Sequence, residues 1–173
     1  MLKENLRETI FGQLTEEEYK KTFHSIFEDV KNRTYFKQGC VHFSTDLGFG
    51  KFTVKTFKKK EKEFIMKYAP VELMTEDYLL KNIGQLQLYN KLLLLLGVAT
   101  FEVQGQEASL SVEVDSTIPL EDWLSLPNIK DKLAFFDELP EQLVSVVIRV
   151  INDVTTAFNV ALNDLLKNRP TPQ

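Results

Sequence analysis

Helical and strand-like hydrophobic periodicities alternate along this 173-residue chain. The first helix is predicted from Thr15 to about Asn32, because Thr15 and Glu18 have the spacing of a capping box and apolar residues then recur every three to four positions. The stripe consists of Tyr19, Phe23, Ile26, Phe27 and Val30.

Three strands are predicted after this helix, at 35–44, 51–57 and 63–68. In the second, Phe52 and Val54 alternate with Lys51, Thr53 and Lys55. In the third, Phe64, Met66 and Tyr68 alternate with Glu63 and Lys67. A two-residue period with one apolar face is typical of an antiparallel sheet that is wet on one side.

A second helix is predicted from 78 to 96, with Thr75 as its N-cap and Gly97 as its C-terminal stop. Its last turns, Leu92 to Leu96, carry no polar residue. A helix that is apolar all round must be covered on several sides.

A hairpin and a long helix complete the pattern. Residues 99–103 and 108–114 alternate on either side of a turn at Gly105-Gln106. A connection at 119–138 is expected to hold one or two short helical pieces, and Pro140 suits the first turn of a final helix that reaches about Lys167. The apolar surface of that helix is wider than one sheet contact needs, so it covers neighbouring elements or meets a second subunit.

Together these elements predict an α+β fold: helix, three antiparallel strands, helix, two-strand hairpin and long C-terminal helix. Residues 1–167 form one domain and 168–173 a flexible tail. Thirteen Phe residues give the domain much aromatic area to bury. The formal net charge of −4 argues against nucleic acid as a main ligand, and the Lys58–Lys60 run beside Glu61 and Glu63 is interpreted as a solvated loop.

The cysteine count and the apolar runs favour a cytoplasmic protein. Cys40 is the one cysteine, so no intrachain disulfide can form, which fits a reducing compartment. The N-terminal residues do not have the pattern of a secretory signal. The most apolar segment, 92–101, is about half the length that spans a bilayer, so no membrane insertion is expected.

Candidate catalytic and metal-binding groups are few. Cys40 and His42 are two apart on a predicted strand and face the same way, but zinc needs three or four ligands and no second Cys/His cluster exists. Glu113 and Asp115 share what should be a solvated strand face. The glycines of 48–50 lack both the third glycine and the following helix of a dinucleotide-binding loop. We therefore predict no enzyme activity, no catalytic residue, no metal and no cofactor.

The order of elements, the chain length and the acidity resemble those of class I type III secretion chaperones and of the related YbjN-type domains, over residues 14–167. Two local patterns carry the resemblance: the run Leu92–Gly97 leading into a short hairpin, and the exit Ile118-Pro119-Leu120-Glu121. The resemblance implies a homodimer that uses the second helix and the hairpin strands, with exposed apolar patches over which an extended partner segment wraps.

Three functions therefore remain open. The first is a dimeric cytoplasmic chaperone that holds an extended segment of a secreted effector protein. The second is a YbjN-like regulatory or assembly-stabilising domain that binds a folded partner. The third is a helix-grip protein with a closed pocket for an apolar ligand. The predicted partner contacts are Leu92, Leu95, Phe101, Val103 and Trp123, and Trp123 has the alternative role of filling the edge of the core.

Overall fold

A computed structural model describes residues 34–46, 50–103 and 105–167 of the chain. The predicted first helix and the predicted tail lie outside these ranges. Within them, five strands form one antiparallel sheet in which each strand pairs with the next along the chain. The strands are β1 (Thr34–Lys37), β2 (Cys40–Asp46), β3 (Lys51–Lys55), β4 (Val98–Val103) and β5 (Gln106–Ser109).

Six α-helices accompany this sheet in the described ranges. They are α1 (Lys59–Tyr68), α2 (Glu76–Lys81), α3 (Ile83–Gly97), α4 (Leu120–Leu124), α5 (Pro127–Asp137) and α6 (Glu141–Lys167). A single 3₁₀ turn, Val71–Leu73, lies between α1 and α2. The predicted α+β class is confirmed.

The first predicted strand is in fact two strands joined by a tight turn. Gln38 and Gly39 both have positive φ, 53° and 78°, which is the backbone of the two-residue hairpins that best match strand twist. β1 and β2 therefore pair with each other, Lys37 opposite Cys40. The prediction of one continuous strand at 35–44 was wrong because Gln38-Gly39 turns the chain back on itself.

The third predicted strand, 63–68, was also wrong: these residues belong to α1. Ile65 interrupts the supposed alternation, and together with Phe64 it forms the buried face of the helix. The start of the helix is fixed by Glu61, whose carboxylate accepts a hydrogen bond from the backbone N–H of Lys58 at 2.8 Å. The Lys and Glu residues around it are good helix formers.

The second predicted helix is present but broken. Thr75 caps α2 as predicted, since its hydroxyl accepts from the backbone N–H of Tyr78 at 3.2 Å. At Asn82 the helical backbone is interrupted, and the Asn82 side chain donates to the Tyr78 carbonyl at 2.9 Å. The helix then restarts as α3 and ends at Gly97, as predicted.

The second strand of the hairpin ends earlier than predicted. The last described backbone hydrogen bond of the hairpin runs from the N–H of Leu110 to the Ala99 carbonyl at 3.0 Å. Because β4 begins at Val98, directly after α3, the residues that follow Leu110 have almost no strand left to pair with. The two short helices of the 119–138 connection and the long final helix after Pro140 are present as predicted.

One face of the sheet and the helices share a single core. Phe43, Phe52, Val54 and Phe101 point from the sheet into it. All of Leu92 to Leu96 are buried, so the apolar end of α3 is covered, as its composition requires. α6 packs directly on β3 and α3, through Val147, Val150, Ile151 and Val154.

α3 and α6 approach each other closely at Gly97. A Cβ added there would lie 3.0 Å from Cδ1 and Cγ2 of Ile151, which is tighter than ordinary packing allows. We expect Gly97→Ala to destabilise the protein by about 1–3 kcal/mol, the usual cost of overpacking a core.

Chemical denaturation of Gly97→Ala, Ile151→Ala and the double variant measures this contact. The two substitutions should be non-additive, because the shortened Ile151 leaves room for the new methyl group. Strict additivity of the two free-energy changes would show that the helices are not in contact at this point.

Candidate functional site

Four of the five predicted partner contacts lie in the core of the protomer. Leu92, Leu95, Phe101 and Trp123 have 0% of their surface exposed. Trp123 contacts Phe64, with 4.8 Å between ring centroids, and its indole N–H donates to the Glu113 carbonyl at 2.9 Å. The backbone of Val103, the fifth predicted contact, pairs with Gln106 across the β4–β5 hairpin. All five residues were predicted as contacts because they are hydrophobic, and that property has placed Leu92, Leu95, Phe101 and Trp123 inside the protomer, where they leave no surface for a partner.

The exposed apolar side chains lie elsewhere. Among the described residues, Leu73, Tyr78, Leu80 and Ile83 are 48–79% exposed. They fall within eleven consecutive residues, from the end of the 3₁₀ turn to the first residue of α3, and we refer to them as the 73–83 surface. α2 is only six residues long and buries Leu79 alone, so its other apolar side chains remain in solvent.

A polar cleft lies along the face of the sheet opposite the core and also reaches core residues at the end of α3 and the start of β4. The register pairs His42 with Lys55, and Thr53 with Thr100, so alternation places these side chains on one face. Together with residues of α1, of α5 and of the segment after β5, they line a cleft of about 250 Å³. The sequence predicted this face to be polar but gave no sign that other elements would cover it.

Positive charge predominates in this cleft, which we call the lysine cleft. It is lined by five lysines, Lys37, Lys55, Lys58, Lys60 and Lys132, and by two acidic residues, Glu61 and Glu113. The formal charge of the lining is therefore +5 − 2 = +3, in a chain whose net charge is −4. The Lys58–Lys60 run, interpreted from the sequence as a solvated loop, contributes two of these lysines and begins α1.

Glu61 and Lys55 form a charged pair inside the cleft. The Lys55 ammonium donates to both carboxylate oxygens of Glu61, at 2.8 and 3.0 Å. The Glu61 side chain is 5% exposed and that of Lys55 16%. Because Glu61 also caps α1, this one carboxylate joins the sheet face to the start of the helix.

Lys132, on α5, is the deepest lysine. It is 3% exposed, and its ammonium donates to the carbonyls of Leu95 and Val98, both at 2.6 Å. These carbonyls lie where α3 ends and β4 begins, a position at which the helix dipole favours a positive charge. The pKa of Lys132 is nevertheless lowered to about 7, mainly by burial and in addition by nearby Lys55, while Glu61 partly offsets both.

Cys40 and His42, which were not predicted from the sequence to form a site, both line this cleft, and the described hydrogen bonds include none between the thiol and the imidazole. His42 Nδ1 lies 3.2 Å from the backbone carbonyl of Cys40. Burial lowers the pKa of His42, and Lys55 and Lys37 lower it further. Among the residues described, no group of three or more His, Cys, Asp or Glu side chains could hold a metal ion.

Of the two other sequence candidates, Glu113 lines the lysine cleft and Asp115 does not. Glu113 is exposed, and the group it uses is its backbone carbonyl, which binds Trp123. Asp115 is also exposed and accepts from the backbone N–H of Thr117 at 2.9 Å. This turn, which lowers the pKa of Asp115 through hydrogen bonds from Thr117, lies beyond the end of β5.

The first 20 residues of α6, Glu141–Val160, are long and apolar enough to cross a membrane by length and composition. Core helices of soluble proteins pass the same test, and this helix packs on the sheet through its buried residues. The absence of membrane insertion therefore stays a prediction.

Comparison with protein-family models, with curated proteins and with solved structures gives no match to this chain.

Proposed function

We propose that this chain is a protein-binding module, and that the 73–83 surface is where it meets its partner. The observation that carries the proposal is the concentration of Leu73, Tyr78, Leu80 and Ile83 in one exposed segment. Single exposed apolar residues are ordinary on soluble proteins, whereas contiguous groups of them favour contact with another molecule.

The partner at this surface is proposed to be a second copy of the chain. A two-fold dimer places the same patch on both subunits, so the apolar side chains of one copy cover those of the other. The 73–83 surface is short, and flanking residues must add area to reach the roughly 800 Å² per partner of a standard interface. This arrangement replaces the predicted contacts through Leu92 and Leu95, which are internal.

The second part of the proposal concerns an extended segment of another protein. β5 is an edge strand of the described sheet. Leu110 bonds inward to Ala99, so by alternation Glu107 and Ser109 direct their backbone groups outward. Such an edge can accept an additional strand. This supports the proposed role as a cytoplasmic chaperone for an extended client, for which a secreted effector is the candidate.

The test of the dimer is the mass of the purified protein by light scattering over a range of concentrations. We expect about twice the 20.0 kDa of one chain, and we expect Leu80→Glu with Ile83→Glu to shift the mass to that of a monomer. Losing two apolar contacts at the centre of an interface should weaken dimerisation at least thirtyfold, the equivalent of about 2 kcal/mol.

Leu126→Glu is the matched control, because Leu126 is also exposed, at 36%, but lies outside the 73–83 surface. It should leave the mass unchanged. A wild-type protein that stays monomeric at every concentration would refute the dimer, and equal dissociation by the control would show that the 73–83 surface is not the interface.

A further inference from the structure

We propose that the lysine cleft is a binding site for a small anion that carries a phosphate or carboxylate group. The site is separate from the 73–83 surface and shares no residue with it, so it can exist whether or not the chain forms a dimer. Three features of the described residues carry this inference: the charge of the lining, the depth at which the charges lie, and the size of the space.

The charge of the lining opposes that of the whole molecule. Five lysines and two glutamates surround the cleft, while acidic residues outnumber basic ones 25 to 21 in the chain. A concave site with walls of low dielectric strengthens the field of the charges that line it. The lysine cleft is therefore a place where an acidic protein attracts anions.

The cationic groups at the base of this cleft are buried, which is costly unless an anion balances them. Of the two acids that line the cleft, Glu61 is the buried one, and it is already bonded to Lys55. The described hydrogen bonds of Lys132 go to two backbone carbonyls, which are neutral. Whenever Lys132 is protonated, the base of the cleft therefore holds more positive than negative charge away from water, and a bound anion would offset the excess.

The pKa values of two lining residues agree with this excess. Lys55 contributes to lowering the pKa of both His42 and Lys132, after burial, which is the larger cause. An anion in the cleft would act in the opposite direction and raise both pKa values.

The size of the cleft selects a small ligand over a polymer. A space of about 250 Å³ is close to the lower end of ordinary small-molecule sites. A nucleic acid would instead need a broad basic surface, which a chain of net charge −4 does not favour. Hydroxyls of Thr53, Ser109 and Ser111 also line the cleft and supply the neutral donors that fix the orientation of an oxyanion.

The experiment is a titration of the protein with inorganic phosphate, and separately with succinate, at constant ionic strength, followed by NMR of the imidazole of His42. The chain has two histidines, so a His24→Gln background leaves the His42 signal alone. We expect a saturable shift of this signal and a rise in the pKa of His42 with at least one of the two anions. The anion that binds more tightly identifies the ligand chemistry.

The matched variants lie side by side at the start of α1. Lys58 and Lys60 line the cleft, whereas Lys59, between them, does not; its ammonium is 3.8 Å from Glu63 on the exposed side. Lys58→Gln with Lys60→Gln should raise the Kd about tenfold, in line with the loss of charge-assisted contacts. Lys59→Gln, which also removes a positive charge, should leave the Kd within twofold.

These variants change exposed or half-buried side chains, so they are expected to fold, and circular dichroism checks this. A His42 signal that moves linearly, without saturation, with both anions would overturn the proposal. So would an equal weakening by Lys59→Gln, which would mean that the anions respond only to overall charge. Because neither readout depends on the mass of the protein, failure here is distinct from failure of the proposed dimer.

Discussion

Replacing Trp123 with Ala is expected to lower the free energy of unfolding by about 3–5 kcal/mol, the range for large-to-small substitutions of aromatic residues in a core. The side chain is 0% exposed, packs against Phe64 and satisfies the Glu113 carbonyl. A loss of this size is a large part of the stability of an ordinary domain. The measurement is chemical denaturation followed by circular dichroism, since the one tryptophan of the chain is removed.

Two further substitutions separate the contributions at this position. Trp123→Phe keeps most of the apolar volume but loses the hydrogen bond to Glu113, so it should fall between wild type and Trp123→Ala. Leu126→Ala is the control: it changes an exposed residue of the same connection and should cost less than about 0.5 kcal/mol. A small effect of Trp123→Ala, similar to that of the control, would return this residue to the role of a surface contact.

Lys132 should make the stability of the protein rise with pH. The pKa of a lysine side chain is normally 10.5, and that of Lys132 is lowered to about 7, mainly by burial. Between these values the unfolded chain holds the proton that the folded chain has released, so raising the pH favours the folded state. From about pH 7 to pH 9 this residue should add about 2–3 kcal/mol to the free energy of unfolding; below pH 7 both states are protonated and the gain is absent.

The comparison of wild type with Lys132→Met isolates this contribution, because other titrating groups are common to both proteins. The difference in unfolding free energy, from urea denaturation at several pH values, should move in favour of wild type as the pH rises. Lys130→Met, an exposed residue of the same helix, should show the wild-type dependence. Parallel curves for wild type and Lys132→Met would mean that Lys132 keeps its charge in the folded protein across this range.

Trp123 and Lys132 show two different ways in which a side chain joins elements that are far apart in the sequence. Trp123 joins α4 to α1 and to the segment after β5 by apolar contact and one hydrogen bond. Lys132 joins α5 to the junction of α3 and β4 through its ammonium group. α3 and α6 also pack closely against each other at Gly97, in this junction, so several elements depend on how α3 ends.

The lysine cleft links this junction to the proposed anion binding. An anion that raised the pKa of Lys132 would keep its ammonium charged and so affect the group that holds α5 to the end of α3. The pH dependence of stability and the anion titration therefore report on the same residue by independent measurements, one through folding and one through His42.

The sequence alone determined what depends on neighbours along the chain. The Thr75 cap, the end of α3 at Gly97, the start of α6 after Pro140 and the alternation of Phe52 and Val54 on β3 all follow from local chemistry, and all are present. Local pattern also established that Leu92 to Leu96 must be covered, because no polar residue interrupts the run.

Tertiary structure decided the features that depend on residues far apart. α1 replaced a predicted strand because Phe64 and Ile65 pack into the core, and the six-residue pattern of 63–68, which Ile65 already interrupts, could not distinguish a helix from a strand. The same burial took Leu92, Leu95, Phe101 and Trp123 from the predicted interface into the interior, since hydrophobicity indicates that a side chain will be covered but not by what. The lysine cleft combines Lys55 of β3 with Lys132 of α5, whose hydrogen-bond partner Leu95 lies 37 residues away; only the packing of the sheet against these helices brings such charges together.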